Sequence, residues 1–194
     1  MANKVYTNVL TQEEVDQNKI NVPAVANDTN PHRSVIYVVV NNTQFGLNYF
    51  NDADIPDNEG QWQIGPGTTN KFSYSTFEIV NDANLHGVEG GIGYGFEEFD
   101  YSALALGLAF DNPQDGTNSG GAGFYSNTPS VGATVYNTMQ NGGSFVTVSP
   151  KFDGNTGDDS ATYNVTFYFT ITLSVGGGDN AIYTVEINQF VEAS

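Results

Sequence analysis

The chain has 194 residues, with 22 acidic side chains against five basic ones, a formal charge of −17, 22 Gly, 13 Phe, 11 Tyr, one Trp, two His and no Cys. That charge excludes nucleic acid as a partner, because binding phosphates needs clustered Lys and Arg, and Lys4, Lys19, Arg33, Lys71 and Lys151 are scattered. Absence of Cys excludes a disulfide frame, a thiol nucleophile and a zinc knuckle, while 39% hydrophobic residues is too many for a disordered chain.

Residues 1–33 are rich in Asn, Gln and acids and end in a Pro-bounded polar stretch, which reads as a loosely packed polar arm. Thr11 with Glu14 three residues on is a capping-box pattern, predicting a short helix over 12–18. Met1–Leu10 lacks the basic start and apolar stretch of a secretory signal, so release without a classical signal peptide is expected.

From Ser34 onward the apolar period is two, and residues 34–194 read as one domain. Val35–Val40 is a β-branched run expected to be buried on both faces. Asn41–Thr43 then predicts a hairpin into Gln44–Phe50. An acidic loop over 51–60 leads to Trp62 and Ile64, a Gly65-Pro66-Gly67 break, and a strand over Phe72–Val80.

Gly91–Phe96 and Ala103–Phe110 alternate large residues at even positions with Gly or Ala at odd ones. A hairpin between them, with partner numbers summing to about 198, makes one face a hydrophobic wall and the other a flat floor. Gly weakens a strand unless something approaches closely, so the floor must receive a packed loop or short helix of the same domain, or another subunit. Asp111–Gly123 and Asp153–Ser160 read as Gly/Asn-rich loops, with short strands around Phe124–Ser126, Val131–Tyr136 and Phe145–Val148. Tyr163–Val175 and Tyr183–Gln189 are two more alternating strands. About ten short strands punctuated by turns predict an all-β fold, an antiparallel β-sandwich behind a polar N-terminal arm.

Catalytic patterns are weak. His32 and His86 both fall in polar or turn contexts, no Gly-x-Ser-x-Gly elbow is present, and two His give no transition-metal site, so neither catalytic residues nor a metal or cofactor are expected. Glu89, flanked by glycines, reads as a turn carboxylate rather than a general base. Asp153-x-Asn155-x-Gly157-x-Asp159 and Asp52-x-Asp54-x-x-Asp57-x-Glu59 lack the sixth-position Gly and distant Glu of a calcium loop and read as polar turns. Trp62, Tyr101, Phe124, Tyr125 and Tyr136 lie near loops, where an apolar ring with a polar tip suits lipid headgroups, sugars or a partner protein.

The run Gly87-Val88-Glu89-Gly90-Gly91-Ile92-Gly93-Tyr94, then Leu106-Gly107-Leu108-Ala109-Phe110-Asp111-Asn112-Pro113 and Gly116-Thr117-Asn118, resembles the aegerolysin family. The similarity is to its bacterial branch, the small subunits of Bacillus binary crystal toxins, and more distantly to the actinoporins. It spans roughly residues 34–175, with its sharp motifs in 87–118. The resemblance implies a β-sandwich that binds lipid or a receptor at target membranes, with a larger pore-forming partner. It carries Glu89, Asp111, Asn112, Pro113 and Trp62 onto family positions, while the actinoporin aromatic headgroup cluster is replaced by Ser119–Gly123, with only Phe124 and Tyr125 nearby as candidate lipid- or partner-binding residues. No counterpart of the actinoporin amphipathic helix exists in residues 1–33. The expected function is a non-enzymatic, insecticidal or cytolytic toxin component. The alternatives are a glycan-binding module and a structural or assembly protein that forms homo-oligomers. The charge opposes anionic membranes, so neutral headgroups, glycans or a protein partner are expected to carry recognition.

Overall fold

The computed structural model describes residues 33–57, 59–81, 86–97, 103–126, 128–156 and 163–191. Within them lie ten strands: β1 (Arg33–Asn42), β2 (Leu47–Asp54), β3 (Gln61–Ile64), β4 (Ser73–Asn81), β5 (Val88–Phe96), β6 (Ala105–Asn112), β7 (Ser119–Tyr125), β8 (Phe152–Thr156), β9 (Tyr163–Val175) and β10 (Asn180–Val191). A single helix, α1 (Val131–Gln140), joins β7 to the segment before β8. The strands form a β-sandwich of a six-stranded sheet, β3-β4-β1-β10-β9-β8, and a four-stranded sheet, β2-β5-β6-β7. The pairings are antiparallel except β1 with β10, which run parallel through nine residue pairs from Ser34–Asn180 to Asn42–Asn188.

β1 sits in the interior of its sheet, which explains its unbroken β-branched run. Val35, Tyr37 and Val39 face the four-stranded sheet and join the main core with Phe77, Ile79, Tyr183, Val185, Phe110 and Leu108. Tyr37 stacks on Phe77 with ring centroids 5.1 Å apart and meets Tyr183 edge-on at 5.5 Å. Its hydroxyl crosses the sandwich to donate to the Ala109 carbonyl at 3.0 Å, so an otherwise costly buried phenol ties the two sheets together. Burial holds that phenol well above the ordinary tyrosine range. A second aromatic cluster, with Phe96 on Phe169 at 4.8 Å and Phe124 beside both, fills the other end.

Several sequence expectations change. β2 does not form a hairpin with β1: it crosses to the other sheet and pairs with β5, and it runs through Asp54, into what the polar composition marks as loop. The β5–β6 partners sum to 200, as in Tyr94–Leu106 and Gly93–Gly107. This two-residue shift preserves the side-chain faces, since only an odd slip would flip them. Ser119–Gly123 belongs to β7 rather than to a loop, extending the Gly/Ala face by Gly121 and Gly123. Val131–Tyr136 is helix rather than strand. Phe145–Val148 makes only a bridge, Val148 to Thr170. Asp153–Thr156 is strand β8. The arm, its helix over 12–18, His32 and Tyr101 lie outside the described residues, except that Arg33 opens β1.

The Gly/Ala floor is occupied by α1, as its flatness requires. A Cβ at Gly91 would collide with the Gly132 carbonyl oxygen, and one at Gly107 would stand 2.9 Å from Val135 Cβ. Ser130 caps the helix, its Oγ accepting from Ala133 N at 3.3 Å. Asp52 on β2 completes the cap: Oδ2 accepts from Val131 N at 2.6 Å and Gly132 N at 3.0 Å, and Oδ1 accepts from Ser130 Oγ at 2.7 Å. A carboxylate at a helix N-terminus is favoured by both the free amides and the dipole. This cap and the glycines locate the helix.

Gly91→Ala is expected to lower unfolding stability by about 1–3 kcal/mol through overpacking against backbone. Gly65→Ala, where a Cβ meets nothing within 4 Å, is expected to stay within about 0.5 kcal/mol of the parent. Urea unfolding of the two variants checks the contrast.

Candidate functional site

The motif residues gather at the end of the sandwich where β5 begins and β6 ends. Glu89 and Asp111 are directly opposite on these strands, on the face that carries α1. Like charges so placed repel, and their neighbours respond. Gln140 Nε2 donates to Glu89 Oε2 at 2.7 Å, and Tyr136 lies against the same carboxylate. Burial raises the Asp111 pKa above the usual carboxylate range; Glu89 and Glu59 add to the rise, and the Ser119 hydroxyl, 3.5 Å away, opposes it. Burial and the acids around it, Glu89 foremost, push the Tyr136 phenol well above its ordinary value. The Glu89 backbone N donates to the Glu59 carbonyl at 3.1 Å, and Glu59 faces exposed His86 at 3.3 Å. Among the described residues no group of His, Cys, Asp and Glu side chains is arranged to hold a metal ion.

Asn112 turns inward and is 0% exposed. Its Nδ2 donates to the carbonyls of Ser34 at 2.9 Å and Asp179 at 2.8 Å, while its Oδ1 accepts from Arg33 Nη1 at 3.2 Å. Arg33 also donates to the Gln114 carbonyl at 2.6 Å and pairs with Asp179 at 2.9 Å. Nearby, Tyr183 donates its hydroxyl to the Asp111 carbonyl at 2.7 Å, and Asn118 donates to the carbonyls of Gly176 and Gly178. Pro113 closes over Gly87, whose Cβ would stand 2.9 Å from Pro113 Cα. Asp111-Asn112-Pro113 is therefore a clasp binding the end of β6 to the start of β1 and to the β9–β10 turn. The expectation that Asn112 contacts a ligand is corrected by this burial.

The other expected recognition residues are dispersed. Phe124 is 4% exposed and packs on Phe96 and Phe169, so a surface role for it is also corrected: on β7 its parity points into the core. Tyr125, on the opposite parity, lies across Gly107 and Gly123 beneath α1, at the far end of the sheet from Glu89. Trp62 sits on edge strand β3, half-buried, edge-on to Phe77 at 5.8 Å. Only Glu89, Asp111, Asn112 and Pro113 come together.

A surface feature that the motif reading missed lies along β9. The ring of Phe145 lies over Gly121, and the chain beyond it is fastened on both sides: Phe124 N donates to the Val146 carbonyl at 2.8 Å, Ile171 N to the Thr147 carbonyl at 2.9 Å, and Ser149 N to the Phe169 carbonyl at 2.9 Å. Val146 and Val148 are left 57% and 53% exposed. Val148 is opposite Thr170, on the same outer side of the sheet as Tyr168, which pairs with Phe190 and stacks on it at 5.5 Å. Phe190 is 45% exposed. The available sequence signal was parity: Tyr168 and Phe190 are aromatic at positions whose neighbours in the same strands point outward.

No protein-family profile matches the chain, and no characterised protein matches it in sequence. Among solved structures it is similar to the lipid binding protein Nakanori, with 14% identity and a TM-score of 0.54 over 91% of this chain and 79% of that one. It is also similar to the Xerocomus chrysenteron lectin XCL, with 9% identity and a TM-score of 0.47 over 81% of this chain and 99% of that one. The chain thus has the β-sandwich fold of the lipid binding protein Nakanori.

Asn112→Ala removes a buried amide that donates to the Ser34 and Asp179 carbonyls and accepts from Arg33, and is expected to cost about 2–3 kcal/mol in urea unfolding. Asp111 has a folded pKa raised above its unfolded value, so its contribution to stability is present at low pH and is lost as pH rises through the folded pKa. Asp111→Asn is therefore expected to be more stable than the parent at pH 7, with the gain shrinking as pH falls through the carboxylate range.

Proposed function

We propose that this protein is a non-enzymatic, lipid-recognising β-sandwich of the aegerolysin-like kind, acting at target cells as the membrane-binding component of a toxin that works with a larger pore-forming partner. The observation that carries the reading is the edge formed by Val146, Val148, Tyr168 and Phe190, which holds aliphatic and aromatic groups out in water on a backbone fastened at both sides. Fixed exposed apolar groups mark surfaces that bury themselves on something else. A Tyr–Phe stack beside two valines suits the headgroup boundary, where rings with and without a polar tip both gain. The fold shared with a lipid-binding protein supports the same reading.

The charge of −17 selects the lipid. Near an anionic surface each acid is repelled by about 1 kcal/mol, so a zwitterionic headgroup is the favoured target. The motif corner works from the inside: its carboxylates are engaged by Gln140 and Ser119, the Glu89 backbone N donates to the Glu59 carbonyl, and the corner braces the helix whose far side leads to the edge.

Sedimentation with phosphatidylcholine vesicles tests the proposal. The parent is expected to bind, and Val146→Asp with Val148→Asp to weaken binding by about tenfold or more while leaving the unfolding midpoint unchanged. No vesicle binding by the parent, together with retention on a glycan array, overturns it in favour of carbohydrate recognition. Binding to anionic vesicles is expected to rise as pH falls through about 4–5, where carboxylates discharge. Asp111 and Glu78, both raised by burial, take up their protons ahead of ordinary carboxylates as pH falls. A flat profile contradicts this electrostatic account.

A further inference from the structure

The last turn of α1 runs into an Asn-Gly pair. Asn141 is the C-cap of the helix and is exposed, and Gly142 follows at φ +64°, with open space where a Cβ would stand. Of all the Asn residues in the chain, Asn141 alone precedes Gly. That order matters chemically, because a backbone nitrogen can close a five-membered ring onto the side chain of the Asn before it. A Gly, without a Cβ, hinders that approach least. Both reacting groups are engaged by the closed helix end. Asn141 Nδ2 donates to the Asn137 carbonyl at 2.7 Å, which also accepts from Asn141 N at 3.1 Å. Gly142 N donates to the Met139 carbonyl at 3.0 Å, and Gly143 N to the Thr138 carbonyl at 2.8 Å. On the side facing β5, Gln140 is tied to Glu89 at 2.7 Å, and this bond restrains the same turn.

We infer that Asn141 is a site of spontaneous deamidation, reached when the last turn of α1 opens, and that its conversion then keeps that turn open. With the turn open, Gly142 N gives up its proton to hydroxide and attacks Asn141 Cγ. The bond from Cγ to Nδ2 breaks, and the nitrogen takes a proton from water and leaves as ammonia, so a cyclic imide remains. Water adds to one of the two ring carbonyls and reopens the ring, leaving either an ordinary aspartate at position 141 or its β-linked isomer. The step consumes one water, releases one ammonia and involves no oxidant or cofactor. The product cannot restore the cap. A carboxylate stands where Nδ2 donated to the Asn137 carbonyl, and it sits at the negative end of the helix dipole. The β-linked form also adds a backbone atom between position 141 and Gly142, which displaces the two amides that bond to Met139 and Thr138. Gln140 is then less firmly presented to Glu89. This chemistry is independent of what the protein binds.

Incubation of the full-length chain at mildly alkaline pH, followed by peptide mass spectrometry, tests the site. Deamidation adds about 1 Da, whereas ring formation at Asp115-Gly116 and Asp153-Gly154 leaves the mass unchanged, so the gain reports Asn alone. The first gain in the folded protein is expected at Asn141. Gln140→Ala, an exposed change that removes the tie to Glu89, is expected to speed the gain by about threefold or more, because opening of the turn limits the rate. Asn141→Asp is expected to quicken amide exchange at 138–143 by about threefold or more while exchange in β5 and β6 stays unchanged. A first gain at another Asn, or no gain at Asn141 by the time a urea-unfolded sample is fully converted, overturns the site. An equal rate in Gln140→Ala overturns the gating by the helix end, and unchanged exchange in Asn141→Asp overturns the lasting opening.

Discussion

A sheet face made of Gly and Ala cannot close itself against water, and the close approach of α1 to that face governs much of this molecule. Gly91, Gly107 and Gly121 leave no room even for a Cβ once the helix and Phe145 are in place. Because the backbone of the helix sits so near, its two ends act on different parts of the domain. Its start is held by Asp52, which supplies the negative charge that the free amides need. Its last turn delivers Tyr136 and Gln140 to Glu89. The chain leaving it puts Phe145 on Gly121 and is then stapled between β7 and β9, which is what fixes Val146 and Val148 at the surface. The exposed edge is a consequence of the bare floor.

This division of labour separates two features that the sequence places side by side. The Glu-Gly-Gly-Ile and Asp-Asn-Pro motifs are the most recognisable local patterns, and their chemistry is internal. Asn112 satisfies three carbonyl or guanidinium partners from two other stretches of chain, a task suited to a side-chain amide with both donors and an acceptor. Glu89 and Asp111 sit opposite each other at the cost of mutual repulsion, moderated by Gln140 and Ser119. Such a corner stores sensitivity to pH rather than a reactive group.

Much of the fold was legible because strand period is a local property. The even–odd alternation around Gly91–Phe96 and Leu104–Phe110 identified the wall and the floor, and the two-residue register error was harmless because parity was right. Sheet membership was not legible: the turn signal Asn41-Asn42-Thr43 is the same whether the next strand folds back or crosses to the opposite sheet, and here it crosses. Val131–Tyr136 was misread because Val, Thr and Tyr favour strands, whereas the Gly floor and the Asp52 cap, both distant in sequence, make helix the better solution. The site was less legible for a related reason. Burial of Phe124 and Asn112 depends on the parity of strands β7 and β6 at their ends, and exposure of Val146 and Val148 depends on bonds to residues 124 and 171.

Charge and exposed surface point to the same mode of action. Under the proposed function, a chain at −17 would reach a membrane by apolar contact with neutral headgroups rather than by attraction, through the fastened edge of Val146, Val148, Tyr168 and Phe190. Amide hydrogen exchange of the full chain, with and without phosphatidylcholine vesicles, tests this most directly. Slowed exchange at 145–149 and 166–170, with no change at 87–91 and 111–118, is the predicted result. Slowing confined to 87–91 and 111–118, with the edge unchanged, would contradict it and return the membrane contact to the motif end of the sandwich.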